Sequence, residues 1–247
     1  MFFWFKKRKV ILECFTTNEI AYNYAKIESM INFLPDWWKR TKVSYAYDGK
    51  FFPTIKKCVG ITEFYKKGIA IPLWAKIRVE IVNNEFRWFS SNPMDLNNHP
   101  PEQFAEFAES DGYNIKILSP WHMRTRELKY FSWTNPIYNN RNLINVMTIM
   151  PAVVEFKYNR NTNFNFFATT LKEDKIIEIE PFTPLVVLHS LFEENIEIKN
   201  FLVDQKELNK INYPNNFFIS QIPNFKLYSD KKKIIDRIES KCPFHEK

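Results

Sequence analysis

Glycine is scarce in this sequence, with only 4 among 247 residues. Tight turns must therefore use Asn, Asp and Pro, which tolerate or pre-set turn conformations. The chain contains no glycine-rich phosphate loop and no Gly-x-Ser-x-Gly nucleophile elbow. The sequence thus predicts neither of these two kinds of site.

Cysteine is also rare, and its three positions are scattered at Cys14, Cys58 and Cys242. An odd, dispersed set does not indicate a disulfide framework and favours a reducing compartment. No apolar run approaches the length of a membrane span. The opening segment Met-Phe-Phe-Trp-Phe is too short for the core of a signal peptide. We therefore expect a soluble protein that is not exported by a signal peptide.

Positive charge is in modest excess, because Lys+Arg minus Asp+Glu is 35 − 28 = +7. Most of these charges are dispersed, and the dense basic runs are Lys6–Lys9 and Lys231–Lys233. A cationic surface raises encounter rates with polyanions, so these runs leave nucleic-acid binding open. A solvated surface is the simpler interpretation of the same charges.

The middle of the chain alternates between apolar and polar residues. Ile77, Val79 and Ile81 are separated by charged residues, which predicts a strand with one buried and one solvent-exposed face. Asn83-Asn84 then predicts a tight hairpin turn. Residues 115–118, 128–133, 146–150, 153–158, 164–169, 176–180 and 185–191 also predict short strands. Such spacing favours a mainly β fold, an antiparallel sandwich, jelly roll or β-clip-like arrangement, with a few peripheral helices.

Helices are predicted mainly near the two ends of the chain. Thr16–Glu19 has the spacing of a capping box, and residues 20–31 carry apolar residues at helical spacing. A short helix over Ile61–Lys67 would end at Gly68, while residues 40–57 look irregular. Further helices are predicted at residues 102–109, at 204–211 and after Ser229-Asp230.

One β-rich domain over residues 1–247 accounts for this pattern, because no repeat or low-complexity linker marks a boundary. Within it, residues 1–40 would form an N-terminal strand with a helix packed on it. Residues 229–247 would form a C-terminal helix and tail.

Metal-binding and catalytic patterns are incomplete. No pair of the four histidines has chelate spacing, and there is no Cys-x-x-Cys. Cys242 and His245 stand three apart and, with Cys58, are the candidates for a zinc site. The sequence predicts no metal centre and no cofactor.

Residues 150–191 have the outline of a hydrophobic strand, an acid, a tyrosine three residues later and a closing apolar strand. This outline resembles the β-clip of dUTPases, where the first acid orients water and the tyrosine reads the base. The resemblance implies these roles for Glu155 and Tyr158. Three positions depart from that family, whose glycines and second acid are replaced here by Ala152, Phe182 and Lys157.

A second resemblance covers nearly the whole chain. Five segments and a KCPF motif near the end resemble a family encoded by T4-like tailed phages of marine bacteria and by related viral genomes. The segments are FLPDWWK (33–39), TIKKCVGITEFYKKGIAIPLW (54–74), SPWHM (119–123), MPAVVEFKYNRNTNFN (150–165) and PFTPLVVLHSL (181–191). The resemblance implies a viral origin and a β-rich single domain, and it supplies no established activity.

Three functions follow as hypotheses. The first is a phage-encoded, non-enzymatic virion component or host-interaction factor, located in the virion or host cytoplasm, with viral or host proteins as partners. The second is an enzyme acting on a nucleotide or metabolite, with His122, Arg124, Glu155 and Tyr158 as candidate site residues. The third is nucleic-acid binding through the basic runs. A homo-oligomer is compatible with each of them.

Overall fold

The computed structural model describes residues 9–83, 85–92, 94, 96–98, 112–139, 141–169, 175–219, 232–233 and 235–237. Its strands, in chain order, are β1 Lys9–Thr16, β2 Glu28–Ser29, β3 Ser44–Tyr47, β4 Lys50–Pro53, β5 Gly68–Pro72, β6 Ile77–Val82, β7 Glu85–Ser90, β8 Leu96–Asn98, β9 Gly112–Arg124, β10 Tyr130–Thr134, β11 Met147–Ile149, β12 Ala152–Glu155, β13 Asn161–Thr169, β14 Lys175–Ile179, β15 Pro184–Ser190 and β16 Asn195–Leu202. The helices are α1 Glu19–Tyr24, α2 Asp36–Arg40, α3 Val59–Lys67, α4 Arg141–Ile144 and α5 Gln205–Ile219, with 3₁₀ turns at Met30–Phe33 and Ile55–Lys57.

Two large sheets carry most of these strands. Sheet A has the order β11-β13-β9-β1-β16, with β8 also beside β9, and sheet B has the order β12-β10-β15-β5-β2. Neighbouring strands are antiparallel, except that β1 and β16 run parallel. A three-stranded sheet, β14-β6-β7, and the β3–β4 hairpin complete the set. The fold is mainly β with a few helices, as the sequence predicts.

The main hydrophobic core joins sheet A, sheet B and the three-stranded sheet. Trp133 of β10 meets Phe164 of β13 edge to face, with 5.3 Å between the ring centroids. Ile77, Val79 and Ile81 of β6 are buried in the same core. The predicted one-sided strand and its hairpin with β7 are therefore confirmed, and sheets A and B form a β-sandwich. Jelly-roll or β-clip connectivity stays a prediction.

Sheet B is covered on its second face as well. Ile69 and Ile71 of β5 point into the sandwich core. Ala70 between them, with Val187 of β15, packs against a smaller cluster that includes Met30 and residues of α3. Burial on both faces explains why β5 and residues 184–188 of β15 are continuous apolar runs rather than alternating ones.

The helix predicted over residues 20–31 is wrong beyond Tyr24. The chain becomes extended because the Asn200 side chain accepts a hydrogen bond from Ile27 N (3.2 Å) and donates one to Ile27 O (3.0 Å). Glu28 and Ser29 then pair with β5. A long-range amide clamp and a strand pairing thus override the local helical spacing.

The predicted capping box at Thr16 is wrong too. Thr16 is still paired in β1, and its hydroxyl oxygen accepts a hydrogen bond from Asn18 N at 3.0 Å. Asn18 is the residue that caps α1, because its side-chain oxygen accepts from Ala21 N at 2.9 Å.

The remaining predicted helices have mixed outcomes. Residues 205–219 form α5, longer than predicted, and Leu208 and Ile211 pack against Phe15 of β1. Residues 232–233 and 235–237 are helical, and Ile235 is buried. The helix predicted at residues 102–109 lies outside the described residues. None of the helices in the described ranges is both long and apolar enough to cross a membrane.

Gly68 ends α3, as predicted, but for a different reason. Its φ is −72°, so no left-handed conformation is required. A Cβ at this position would instead lie 2.5 Å from the backbone oxygen of Phe64 and 2.9 Å from Cγ of Met30. The glycine is needed because α3 and the 3₁₀ turn approach β5 too closely for any side chain.

We therefore expect Gly68→Ala to lower the free energy of unfolding by about 1–3 kcal/mol, the range for overpacking a filled core. Gly60→Ala is the matched control, because a Cβ there meets nothing within 4 Å and alanine favours the helix. Urea unfolding followed by circular dichroism measures both variants. Equal stability of the two would contradict the close-approach argument.

Phe182 occupies a turn where glycine is expected, and its φ is +67°. Such a conformation costs a bulky residue about 1–2 kcal/mol. Two hydrogen bonds hold the turn: Phe182 N donates to Leu73 O at 2.7 Å, and Leu73 N donates to Thr183 O at 2.9 Å. The Phe182 ring lies 5.8 Å from that of Tyr24. The backbone at this turn has a glycine-like conformation although the residue is phenylalanine.

Phe182→Gly should be more stable than Phe182→Ala by about 1 kcal/mol, because both lack the ring but only alanine keeps the left-handed strain. At an ordinary position the order is reversed by about 0.5–1 kcal/mol. Chemical denaturation of the two variants side by side measures the difference in their free energies of unfolding. A more stable alanine variant would show that the backbone at residue 182 is not strained.

Candidate functional site

The β3–β4 hairpin lies in the segment that the sequence left irregular, and that prediction is wrong. Asp48 and Gly49 have φ values of +48° and +68°, and Tyr47 pairs with Lys50 across them. Positive φ at both central residues matches the tight hairpin turn for which Asp-Gly is favoured. The dipeptide was therefore a local signal of this hairpin.

Aromatic side chains on this hairpin are unusually exposed. The exposed fractions are 80% for Phe51, 70% for Tyr47, 52% for Tyr45 and 38% for Phe52. Every residue of the two strands except Ser44 is exposed. An isolated two-stranded hairpin is marginally stable in water, so these rings are displayed rather than used to build a core.

The pairing register sorts the side chains onto two faces. Tyr45 lies opposite Phe52, and Tyr47 lies opposite Lys50. Directly opposed residues share a face and alternate residues share a face. We call the face that carries Tyr45, Tyr47, Lys50 and Phe52 the stacking face. Phe51 lies on the other face.

The hairpin is fixed at its base to α2 and the second 3₁₀ turn. Thr54 N donates to Val43 O at 3.0 Å, and the Lys56 ammonium donates to Lys39 O at 3.3 Å. Trp38 of α2 packs against the smaller core cluster, with its ring 5.3 Å from that of Tyr65. The base is therefore anchored in the molecule, while the rings of the hairpin stay exposed to solvent.

Charge is concentrated around the hairpin. Residues 36–57 contain six basic and two acidic residues, so they contribute 6 − 2 = +4 of the chain's net +7. The other residues contribute (35 − 6) − (28 − 2) = +3. The expectation that charge is dispersed outside the two dense runs is therefore incomplete. The six basic residues are Lys39, Arg40, Lys42, Lys50, Lys56 and Lys57.

His122, one of the candidate catalytic residues, lies on β9 beneath α5. Its Nδ1 is 3.0 Å from Asn161 Oδ1 and 2.9 Å from Asn212 Nδ2. When the proton is on Nδ1, the ring donates to Asn161 Oδ1. When the proton is on Nε2, Nδ1 accepts from Asn212 Nδ2. Burial lowers the pKa of His122, which favours the neutral ring.

Arg124 follows two residues later on the same strand. Its Nε donates to Glu13 Oε2 at 2.7 Å, and its guanidinium lies 5.0 Å from the centroid of the Phe15 ring. Glu13 and Arg124 face each other in the β1–β9 register. The contacts of Arg124 thus join β9 to β1.

Glu155 and Tyr158 are in contact, but the contact joins the Glu155 side chain to the Tyr158 backbone rather than to its ring. Glu155 is buried, and its carboxylate accepts hydrogen bonds from Tyr158 N at 2.9 Å and Asn159 Nδ2 at 3.2 Å. The Tyr158 hydroxyl donates to Asp236. A hydrogen bond from the Lys157 ammonium to Asp236, at 2.7 Å, lowers the pKa of that carboxyl. These contacts hold the turn after β12 against the helical residues 235–237.

A cavity of about 250 Å³ lies where the end of α3 meets the loop after β15. Its lining carries charged side chains, including Lys67 and Glu194. Lys67 pairs with Glu63 at 3.6 Å, and Glu194 pairs with Lys129. These two charged side chains of the lining are therefore already engaged in ion pairs.

The structure does not test the three candidates for a zinc site together. Cys58 is exposed just before α3, and Cys242 and His245 lie outside the described residues. The basic run Lys6–Lys9 has only Lys9 in the described part, and of Lys231–Lys233 only the last two residues are described.

Comparison with models of protein families, with curated proteins and with solved structures finds no match for this chain. The candidate site is therefore defined by the geometry of the molecule itself. Its central residues are the exposed rings of the β3–β4 hairpin, which the sequence reading missed.

Two histidines should give the stability of the fold a pH dependence. Burial lowers the pKa of His122 and of His189. Because the unfolded chain then binds more protons than the folded one, stability is complete above the unfolded pKa of about 6.5 and is lost as pH falls below it. We expect the free energy of unfolding to decrease from pH 8 to pH 5. Urea titrations at each pH should show a flatter slope for a His122→Gln/His189→Gln variant, by at most about 1.4 kcal/mol per pH unit for each histidine. An unchanged slope would contradict this assignment.

Proposed function

We propose that this chain is a virus-encoded, non-enzymatic binding protein, a minor virion component or host-interaction factor, that acts through the β3–β4 hairpin. The observation that carries the proposal is the exposure of four aromatic rings on a hairpin that is held at its base. Exposed clusters of large apolar side chains mark interaction sites in soluble proteins.

The energetics support a role in association. Burying one large apolar side chain contributes about 1.5–3 kcal/mol, so burial of the four rings by a partner would contribute substantially to the free energy of binding. Tyrosine and phenylalanine also provide large contact areas with few rotatable bonds, which reduces the entropy lost on binding.

The four candidate catalytic residues favour the same proposal. Each has a partner that ties together parts of the fold: Asn161 and Asn212 for His122, Glu13 for Arg124, and local backbone or Asp236 for Glu155 and Tyr158. These contacts support structural roles. The viral origin in the proposal rests on the resemblance of the five segments to proteins of T4-like tailed phages.

The test compares the natural chain with a Tyr45→Ser/Tyr47→Ser/Phe51→Ser/Phe52→Ser variant, each tagged and produced during infection. We expect the natural chain to co-purify with particles, or with a host complex, at a fixed ratio measured by mass spectrometry. The co-purification ratio of the variant should be at least about tenfold lower, because the variant lacks the rings that a partner would bury.

Phe89→Ser/Tyr130→Ser is the matched control, because both rings are exposed elsewhere on the surface. It should associate like the natural chain. Circular dichroism establishes that both variants keep the fold. The proposal would be overturned if the natural chain associated with neither the particles nor a host complex. It would also be overturned if the hairpin variant associated as fully as the natural chain.

A further inference from the structure

We propose that the stacking face of the β3–β4 hairpin binds single-stranded nucleic acid. This inference rests on the proposed function, in that it takes the hairpin as the binding surface, and it specifies the chemistry of the partner. Three features of the described residues support it: the arrangement of the rings, the charge around them and the access to both.

The rings form a small aromatic platform. Tyr45 and Phe52 stack across the two strands, with 5.7 Å between centroids and planes 28° apart. Tyr47 follows Tyr45 on the same face, about 6.8 Å further along the strand. Exposed aromatic rings on strands are a common means of stacking successive unpaired bases, and such stacking tolerates any base because each has a π-face.

Cationic groups accompany the rings. Lys50 lies opposite Tyr47 on the stacking face itself. Lys42 precedes β3 and Lys57 follows β4, and both are exposed. Within the described part of the chain, no ion pair involves Lys42, Lys50 or Lys57. Their charge remains available for phosphates, which dominate the affinity of nucleic-acid complexes.

The balance of charge favours a polyanion over an apolar protein partner. The segment 36–57 carries +4, and bringing these ammonium groups into an apolar interface without acidic partners would be costly. A single strand satisfies both features together, because its bases stack on the rings while its phosphates lie at the lysines. In a duplex the bases are already stacked on one another, so the rings could gain no such contact.

The experiment uses the full chain and fluorescence anisotropy with labelled dT20, rU20 and a 20-base-pair DNA duplex. We expect single strands to bind at least about tenfold more tightly than the duplex. The logarithm of affinity should fall linearly with the logarithm of salt concentration, with a slope of about −2 to −3 for three or four phosphate contacts. The DNA and RNA arms show whether one sugar is preferred.

Variants separate stacking from general hydrophobic attraction. Tyr45→Ser, Tyr47→Ser and Phe52→Ser should each weaken single-strand binding by about 5- to 150-fold. Phe89→Ser is the matched control, because it removes an exposed ring that lies on β7 rather than on the hairpin; it should change affinity by less than about twofold. Lys50→Gln should reduce the magnitude of the salt slope by about 0.7, while Lys206→Gln, on α5, should leave it unchanged.

Several outcomes would overturn the inference. They are the absence of single-strand binding, equal affinity for the duplex, equal effects of Phe89→Ser and Tyr45→Ser, or a preference for phosphatidylserine vesicles over both oligonucleotides. A salt slope lost in Lys232→Gln/Lys233→Gln but kept in Lys50→Gln would assign binding to the C-terminal basic run instead. If oligonucleotides fail while the four-ring variant still loses its association with particles or host complexes, this inference is wrong and the proposed function stands.

Discussion

Burial of β5 and β15 on both faces is the constraint on which the rest of this structure depends. Ile69, Ile71 and Leu188 close the sandwich core on one side, while Ala70 and Val187 meet α3 and the first 3₁₀ turn on the other. Residues 68–72 of β5 and 184–188 of β15 are therefore all buried, and the layer above them must approach within van der Waals contact. The α2 helix and the base of the β3–β4 hairpin are placed by that same layer, through Trp38 and Tyr65.

Much of the sandwich could be predicted because its pattern is local. Ile77, Val79 and Ile81 alternate with charged residues in the sequence and are buried in the structure. The helix over residues 20–31 could not be excluded locally, since the amide that extends the chain at Ile27 belongs to Asn200, 173 residues away. β16 was missed although it carries a local signal, since Ile196 and Ile198 alternate with Glu197 and Lys199.

The site was harder to predict than the fold. Adjacency of Glu155 and Tyr158 followed from their spacing of three residues, whereas the contact of His122 with Asn212 joins positions 90 residues apart. The hairpin had a local signal in Asp48-Gly49. It was obscured because both faces carry aromatic residues, so the alternation of polar and apolar residues that identifies a half-buried strand is absent.

The parallel pairing of β1 with β16 has a consequence for synthesis of the protein. Lys9 lies beside Asn195 in that register, so the ribosome must add 195 − 9 = 186 residues before the two strands can meet. At about 5–20 residues per second, the nascent β1 waits on the order of 10–40 s with one edge unprotected. Sheet A therefore closes late in translation, and chaperones that shield open strand edges have their main opportunity during this interval.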